Sequence, residues 1–381
     1  PTQEANAIWQ QQRNSGITNP SSKQYGSGAT PVIPDYITPT GYTLCYCAAD
    51  SVVDPKRYDI NSYQITKANQ TGTNWYDTIT RNAPSQSHNI SVSSGTDKSS
   101  YFFSMNYLNE QGIARYSYQK RYSVRANTQF NVNDHIRVGE NAYVFFKNNP
   151  KYNNQQEGSP FSMAFREDAI IPVYDIMGNF AGTKSQDLGN AQNVFANEYR
   201  TNDNLGNGWD IQGNVYAEVD FLKHFTARTS FGGIVDNNYY FYFNYVGYEN
   251  AEGNTGANSF HEGANYNSSW PYTNTLNYSN TFGKHSVKVL LGTEAFNYHG
   301  RNLEAGRGNY FSQNPNYWVL NTGSPSGQSN TGNAYQSSLW SQFARLEYGY
   351  DGKYLINGSV RSDGSSVFAP DQRTGYFPAV S

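Results

Sequence analysis

The stretch KRYSVRANTQF, residues 120–130, decides the fold. It alternates without a break: Tyr122, Val124, Ala126, Thr128 and Phe130 fall on one face of an extended strand, and Arg121, Ser123, Arg125, Asn127 and Gln129 on the other. An apolar face of that length needs a cover. The two candidates are a second sheet, as in a soluble sandwich, and lipid.

The same alternation returns on both sides of this stretch. HNISVSS and SSYFFSMNYL form a pair joined by GTDK, the second placing Tyr101, Phe103, Met105 and Tyr107 on one side. The turn NVNDH leads into IRVGENAYVFF, with Ile136, Val138, Ala142, Val144 and Phe146 in register. WDIQGNVYAEVDF and FTARTSFGGIV are joined by LKH, YTNTLNYSNTF and SVKVLLGTEAF by GKH, LWSQFARLEYGY and YLINGSV by DGK. About ten strands result, most of roughly ten residues or more, against ~5–6 in ordinary globular domains. Short turns alternate with long polar excursions at residues 147–208, 236–269 and 297–336, which gathers the long connections at one pole.

Composition agrees with an all-β chain. Of 381 residues only 15% are charged, against ~25% in ordinary globular proteins, while aromatics reach 16% with 33 Tyr and 21 Phe. A net charge of -3 and a pI near 6.1 supply no basic field for a phosphate backbone, so no nucleic-acid partner is expected. No apolar run approaches the ~20 residues of a membrane helix. Mean hydropathy is -0.75, but a transmembrane barrel shows lipid only every second residue and escapes such averaging.

The alternation of connections separates the two covers. A sandwich hides its apolar faces against each other and spreads loops over both ends. A membrane barrel has brief turns on one side, extended loops on the other and a polar inner face, and its closure leaves no backbone group unpaired in hydrocarbon. The pattern therefore predicts an antiparallel transmembrane β-barrel. A secreted all-β carbohydrate-binding module and a passive porin stay open as alternatives.

Residues 1–86 differ from the rest and are read as an extracellular excursion, with barrel strands and outer loops over 87–381. TQEANAIWQQQRNSG spaces Ala5, Ile8, Trp9 and Gln12 helically and stops at Gly16, predicting a short surface helix. The proline-rich NPSSKQYGSGATPVIPDYITP follows, and its prolines cannot join an interior ladder. Cys45 and Cys47 in LCYCAAD would close a strained ring if bridged and are read as two thiols without zinc spacing. The chain opens at Pro1 without a basic-then-apolar leader and stops at GYFPAVS, where another alternation begins, so a piece of a longer protein is expected.

Several stretches go beyond pattern. NWYDTITRNAPSQSHNISVSSGTDKSSYFFSMNYLNEQGI, KRYSVRANTQFNVNDHIRVGEN, LLGTEAF and GKYLINGSVRSDGSSVFAPDQRTGYFPAVS closely resemble segments of the SusC/RagA family of TonB-dependent outer-membrane transporters of Bacteroidetes. The likeness runs from PVIPDYI to the last residue. It implies a 22-stranded barrel closed by a plug domain, with this chain holding about ten of the strands and lacking the plug and the other half. It also implies uptake of oligosaccharides or peptides, energy from the TonB-ExbB-ExbD complex, and a SusD-like surface lipoprotein as a lid.

Side-chain parity then sorts the candidate residues. Arg121, Arg125, Asn127, Asn141, Tyr216, Glu218, Arg228, Lys288 and Glu294 face the lumen, where they either bind solute or plug, or simply form a wetted wall. Tyr101, Phe103, Tyr122, Val124, Phe130, Val144, Val219 and Phe231 face lipid. Trp75 and Tyr174, in outer segments, are candidates for substrate stacking, whereas YYFYFNY at 239–245 reads as interfacial girdle or loop packing. Glu167 and Asp168 in FREDAI are adjacent and do not converge as a catalytic pair, so they read as solvated or structural carboxylates and no enzyme activity is expected. NDNLGNGWD, residues 202–210, is rich in oxygen ligands for calcium but departs from the helix-flanked loop and reads as a turn cluster; no cofactor or metal is expected.

Overall fold

The computed structural model describes residues 1–37, 39, 53–150, 158–185, 187–252 and 256–381. Cys45 and Cys47 lie outside these residues. Four two-residue strands come first, β1 (Ser21–Ser22) pairing with β2 (Gly26–Ser27), and β3 (Tyr36–Ile37) with β4 (Thr66–Lys67). Then eleven strands form one continuous antiparallel sheet in chain order. They are β5 (Ser85–Gly95), β6 (Ser99–Gln111), β7 (Tyr118–Asn131), β8 (Ile136–Asn148), β9 (Leu205–Phe221), β10 (Phe225–Asn244), β11 (Ser259–Phe282), β12 (His285–Gly308), β13 (Ser329–Tyr350), β14 (Tyr354–Ser365) and β15 (Thr374–Val380).

Direct cross-strand partners share a face, so the register sorts the side chains without further assumption. One row runs Tyr101, Thr128, Glu140, Val215, Phe231, Tyr272, Ala295 and Trp340 across β6 to β13. All the residues read as lipid-facing share this face, and Val92, Phe103, Val124, Ile211, Phe231 and Leu346 stand exposed on it. In water an apolar surface of this extent would be an aggregation site. The sheet is instead the wall of a transmembrane barrel, with apolar side chains outward at every second position.

Hairpin chemistry explains the short pole. Asp351 and Gly352 sit at φ of 53° and 65°, and Leu222 and Lys223 at 51° and 62°, the left-handed values that match a tight turn to strand twist. Turns of this kind alternate strictly with longer connections at 112–117, 149–204, 245–258, 309–328 and 366–373.

Two of the excursions read as loop, 236–269 and 297–336, are strand over half their length or more. β11 and β12 reach 24 residues each, and at ~3.3 Å per residue they extend roughly 80 Å, far beyond the ~9–11 residues a tilted strand needs to cross hydrocarbon. Their distal halves are wet on both faces, so Asn and Ser on either side erase the alternation. YYFYFNY falls in this region and packs under a loop: Phe241, Phe243 and Tyr245 meet Phe260, Tyr310 and Trp318.

At the long-loop pole, chain segments far apart in sequence share one core. Helices α1 (Thr2–Asn14), α2 (Trp75–Ile79), α3 (Pro160–Arg166) and α4 (Val194–Arg200) bury Ala5, Trp9, Trp75, Ile79, Ala164 and Val194 together. Ile170 and Ile171 complete the core, and backbone bonds from Asn69 to Ile170 and from Thr73 to Ala169, both 2.8 Å, tie the segments. Among the described residues, 1–37 and 53–84 pack with those of the β8–β9 connection from 158 to 204 into one cap.

Candidate functional site

The face opposite the apolar one carries the polar chemistry, and the register places all nine residues read as lumen-facing on it. Glu218 accepts from Arg137 at 3.0 Å and from Arg228 at 2.9 Å, and Arg137 also holds Asp220. Arg361 bridges Glu294 at 3.1 Å and Asp363 at 2.7 Å, while Lys288 and Arg345 approach Glu347 at 4.0 and 2.7 Å. Arg228 lies 4.1 Å over the Tyr216 ring and Arg125 lies 5.0 Å over Tyr143. Asn141 donates to Asn214 at 3.0 Å, continuing the row that starts at Asn127. These charges satisfy one another along the wall, so each is worth little alone. Glu218→Gln is expected to change barrel stability by about 1 kcal/mol or less, measured by urea unfolding in lipid vesicles.

Nearer the long-loop pole the same face changes character, because rings lie flat against the wall over glycines of the next strand. A Cβ added at Gly263 would fall 2.6 Å or closer to the Tyr240 ring, at Gly300 to Tyr335 and at Gly306 to His261, and toward the short-turn pole Gly139 and Gly292 seat Tyr216 and Phe343 in the same way. Only glycine leaves these seats open. Glu304 accepts from the Tyr240 hydroxyl at 2.6 Å and the Tyr242 hydroxyl at 3.2 Å, and Tyr242 stacks on His261 at 4.9 Å with 5° between planes. Tyr298 and Tyr335 stand 5.4 Å apart, and Tyr335 donates to Asn267, which in turn donates to Asp236 at 3.3 Å. Sequence reasoning missed this cluster; its signal is glycine directly across from an aromatic in the ladder, which needs the register.

The cap holds the other candidates and redistributes them. Trp75 is buried and donates from Nε1 to the Asp168 carbonyl at 3.2 Å, so it is a core residue and offers no ring to a solute. Tyr174 is half exposed and stacks on Phe180 at 5.6 Å beside Phe195 and Tyr199. In NDNLGNGWD residues 205–210 belong to β9, where oxygens alternate between faces, and Asn204 Oδ1 accepts from the Phe243 amide at 3.1 Å. Among the described residues no cluster of three metal-ligating side chains exists.

Glu167 is buried and Asp168 half-buried. Both carboxylate oxygens of Glu167 lack a hydrogen-bond partner, and burial, with Asp168 and Glu249 adding repulsion, pushes its pKa up to about 8. Burial also raises Asp168, helped by the charge of Glu4 and a hydrogen bond to it across to α1. A carboxyl raised in the folded state binds its proton more tightly there than when released. Cap docking is therefore strongest at acid pH and weakens, by up to about tenfold per unit per group, as pH rises from the ordinary carboxylate range toward 8. Hydrogen exchange of α1, corrected for intrinsic rate, should report that slope, and Asp168→Asn should flatten it.

An antiparallel wall with ion pairs on one face, apolar side chains on the other and its long connections at one pole is the wall of an outer-membrane-type β-barrel. The comparisons give that class a family context. No family model matches the chain. The TonB-dependent receptor SusC of Bacteroides thetaiotaomicron is 26% identical over 350 residues, 81% of this chain and 32% of SusC. The TonB-dependent receptor P26 of Formosa agariphila is 24% identical over 318 residues, 81% of this chain and 30% of that receptor. Among solved structures, the RagAB peptide transporter matches with a TM-score of 0.66 and 24% identity over 81% of this chain and 35% of that one. The RagAB peptide importer in its closed-closed state matches with a TM-score of 0.68 and 23% identity over 85% and 36%. The chain is thus similar to SusC/RagA-type TonB-dependent transporters and spans about a third of the length of the relatives it matches. The strand pattern and the motif resemblance lead to the same barrel fold.

Proposed function

We propose that this chain is the outer-loop-bearing part of the wall of an active importer in the outer membrane. The reading rests on one observation: an eleven-stranded sheet sorts apolar and ion-paired side chains onto opposite faces. On this reading Tyr101, Phe103, Tyr122, Val124, Phe130, Val144, Val219 and Phe231 meet lipid. Arg121, Arg125, Asn127, Asn141, Tyr216, Glu218, Arg228, Lys288 and Glu294 line the lumen against a plug or solute. The cap, built from described residues within 1–37, 53–84 and 158–204, stands outside the cell, where a SusD-like lipoprotein closes over it. Oligosaccharides or peptides are the cargo, and TonB-ExbB-ExbD supplies the energy. The work is binding and conformational change, with no covalent step. Tyr174, half exposed on the cap, is the remaining outer-loop contact for cargo.

The test uses the complete protein in its own cells. It should fractionate with detergent-solubilised outer membrane together with a lipoprotein partner, and nutrient uptake should stop when TonB is deleted. Uptake indifferent to TonB would make the barrel a passive porin. Recovery as a free soluble monomer would favour a secreted binding module instead.

A further inference from the structure

The glycine-seated rings at the long-loop end of the lumen wall do something that ordinary wall residues do not. Tyr240, Tyr335 and His261 over their glycines, with Tyr242 and Tyr298 beside them, lie on four adjacent strands, β10 to β13, within rows 234–242 of β10 and their partners. Along the strand this is about 26 Å. A tyrosine pressed flat over a glycine presents a π face to the lumen instead of an edge. Its hydroxyl is turned along the wall, as Tyr240 and Tyr242 show by donating to Glu304. Tyr335 keeps 40% of its surface open, and Tyr240, Tyr242 and Tyr298 are half buried.

We infer that this strip is a stacking track for neutral cyclic polyols, and that Gly263, Gly300 and Gly306 are its positioning residues. The inference rests on the import reading above and narrows its cargo. Three features select this ligand. The π face is the negative side of the ring quadrupole and favours the slightly positive C–H face of a saturated sugar ring. The groups beside the rings are acceptors and amides, namely Glu304, Asp236 and Asp210 with Asn267, Asn265 and Asn302, which suit hydroxyl donors. Asp210 Oδ1 is buried without a hydrogen-bond partner, an acceptor in reserve.

Other cargo fits less well. Backbone groups of β10 to β12 along rows 234–241 are committed to ladders on both sides, which leaves an extended peptide only the edge of β13, where Ser329–Ser337 pair with β12 alone. Three carboxylates repel an acidic sugar or peptide carboxylate, and the cations on the neighbouring wall are Lys147, across from Gly208 and diagonal to Asp210, and Arg121 beside it.

The experiment measures binding to the complete detergent-extracted protein by calorimetry. Its probes are neutral hexasaccharides of glucose and mannose, hexagalacturonate, and a lysine-rich nonapeptide. Neutral hexasaccharide should bind best. Gly300→Val, which keeps every functional group but lifts Tyr335 from its seat, should weaken it about tenfold, the worth of one stacking contact. Tyr335→Ala should do the same, and Tyr335→Phe should change little. If Gly300→Val fails to fold, judged by heat-modifiable gel migration, Tyr335→Ala reads the same contact. Tighter binding of hexagalacturonate or peptide, absence of binding to every neutral probe, or unchanged affinity in folded Gly300→Val and Tyr335→Ala would each overturn the track. TonB-dependent uptake of peptide alone would sink the track and leave the import reading standing. Track-dependent uptake that survives TonB deletion would do the reverse.

Discussion

Glu249→Ala is expected to undock the cap while the barrel strands stay paired. Glu249 is fully buried, and Arg200 at the end of α4 grips it with two bonds of 2.7 and 3.2 Å. The Arg200 guanidinium is walled by the rings of Phe180, Tyr245 and Tyr248 at 5.3 to 5.9 Å. The Glu249 carbonyl accepts from the Lys184 amide at 3.0 Å, and the next residue, Asn250, accepts from the Asn193 amide at 2.9 Å. This one junction pins the β10–β11 connection into the β8–β9 connection. Removing the carboxylate leaves a cation in a dry pocket, and breaking a buried pair in this way costs about 3–5 kcal/mol. Hydrogen exchange and limited proteolysis should show residues 158–204 and 245–258 opening, with β10 and β11 unchanged. Glu249→Leu combined with Arg200→Met should recover much of the loss, because the penalty lies in the unpaired charge. Protection of 158–204 unchanged in Glu249→Ala would mean that the apolar core around Trp75 and Ile171 holds the cap alone.

The junction also marks what a sequence can and cannot disclose. Strand pairs such as 120–130 with 136–146 are legible because one face meets an apolar medium and the other meets water, which writes a period of two into the residues. The upper halves of β10 to β13 meet water on both faces and carry no such period, so Ser259–Trp270 and Gly300–Gly308 read as loop. Arg200 and Glu249 stand 49 positions apart with nothing local to link them. Trp75 had the composition of a binding residue and the location of a core residue, a distinction that only packing against Ile170 and Ala164 makes. The glycine seats are hidden for a related reason: Gly300 and Tyr335 are neighbours through the β12–β13 register, not through spacing along the chain.

Face segregation also predicts opposite outcomes at adjacent positions, which makes it the sharpest test of the barrel. Val215 and Asn214 are consecutive in β9, and the register gives them to opposite faces, Val215 beside Phe231 and Asn214 beside Asn141. Val215 is exposed, in a row that runs from Tyr101 to Trp340 and sets Phe231 on one side of it and Glu140, held by the Thr128 hydroxyl, on the other. Placing arginine there puts a charge into hydrocarbon, which costs about 2–4 kcal/mol in a membrane barrel, and pairing Val215→Arg with Glu140→Gln removes the one carboxylate across from it that would offset that cost. Asn214→Arg instead points the same charge into the wetted lumen beside Asn141 and should cost close to nothing. Reversible urea unfolding of the complete protein in lipid vesicles measures both. A soluble sandwich predicts another ordering, because Val215 would then be packed on a second sheet and Val215→Arg would unfold the protein in water with no lipid present. Equal costs at the two positions would mean that neither face meets hydrocarbon, and the transporter reading would fall with the barrel.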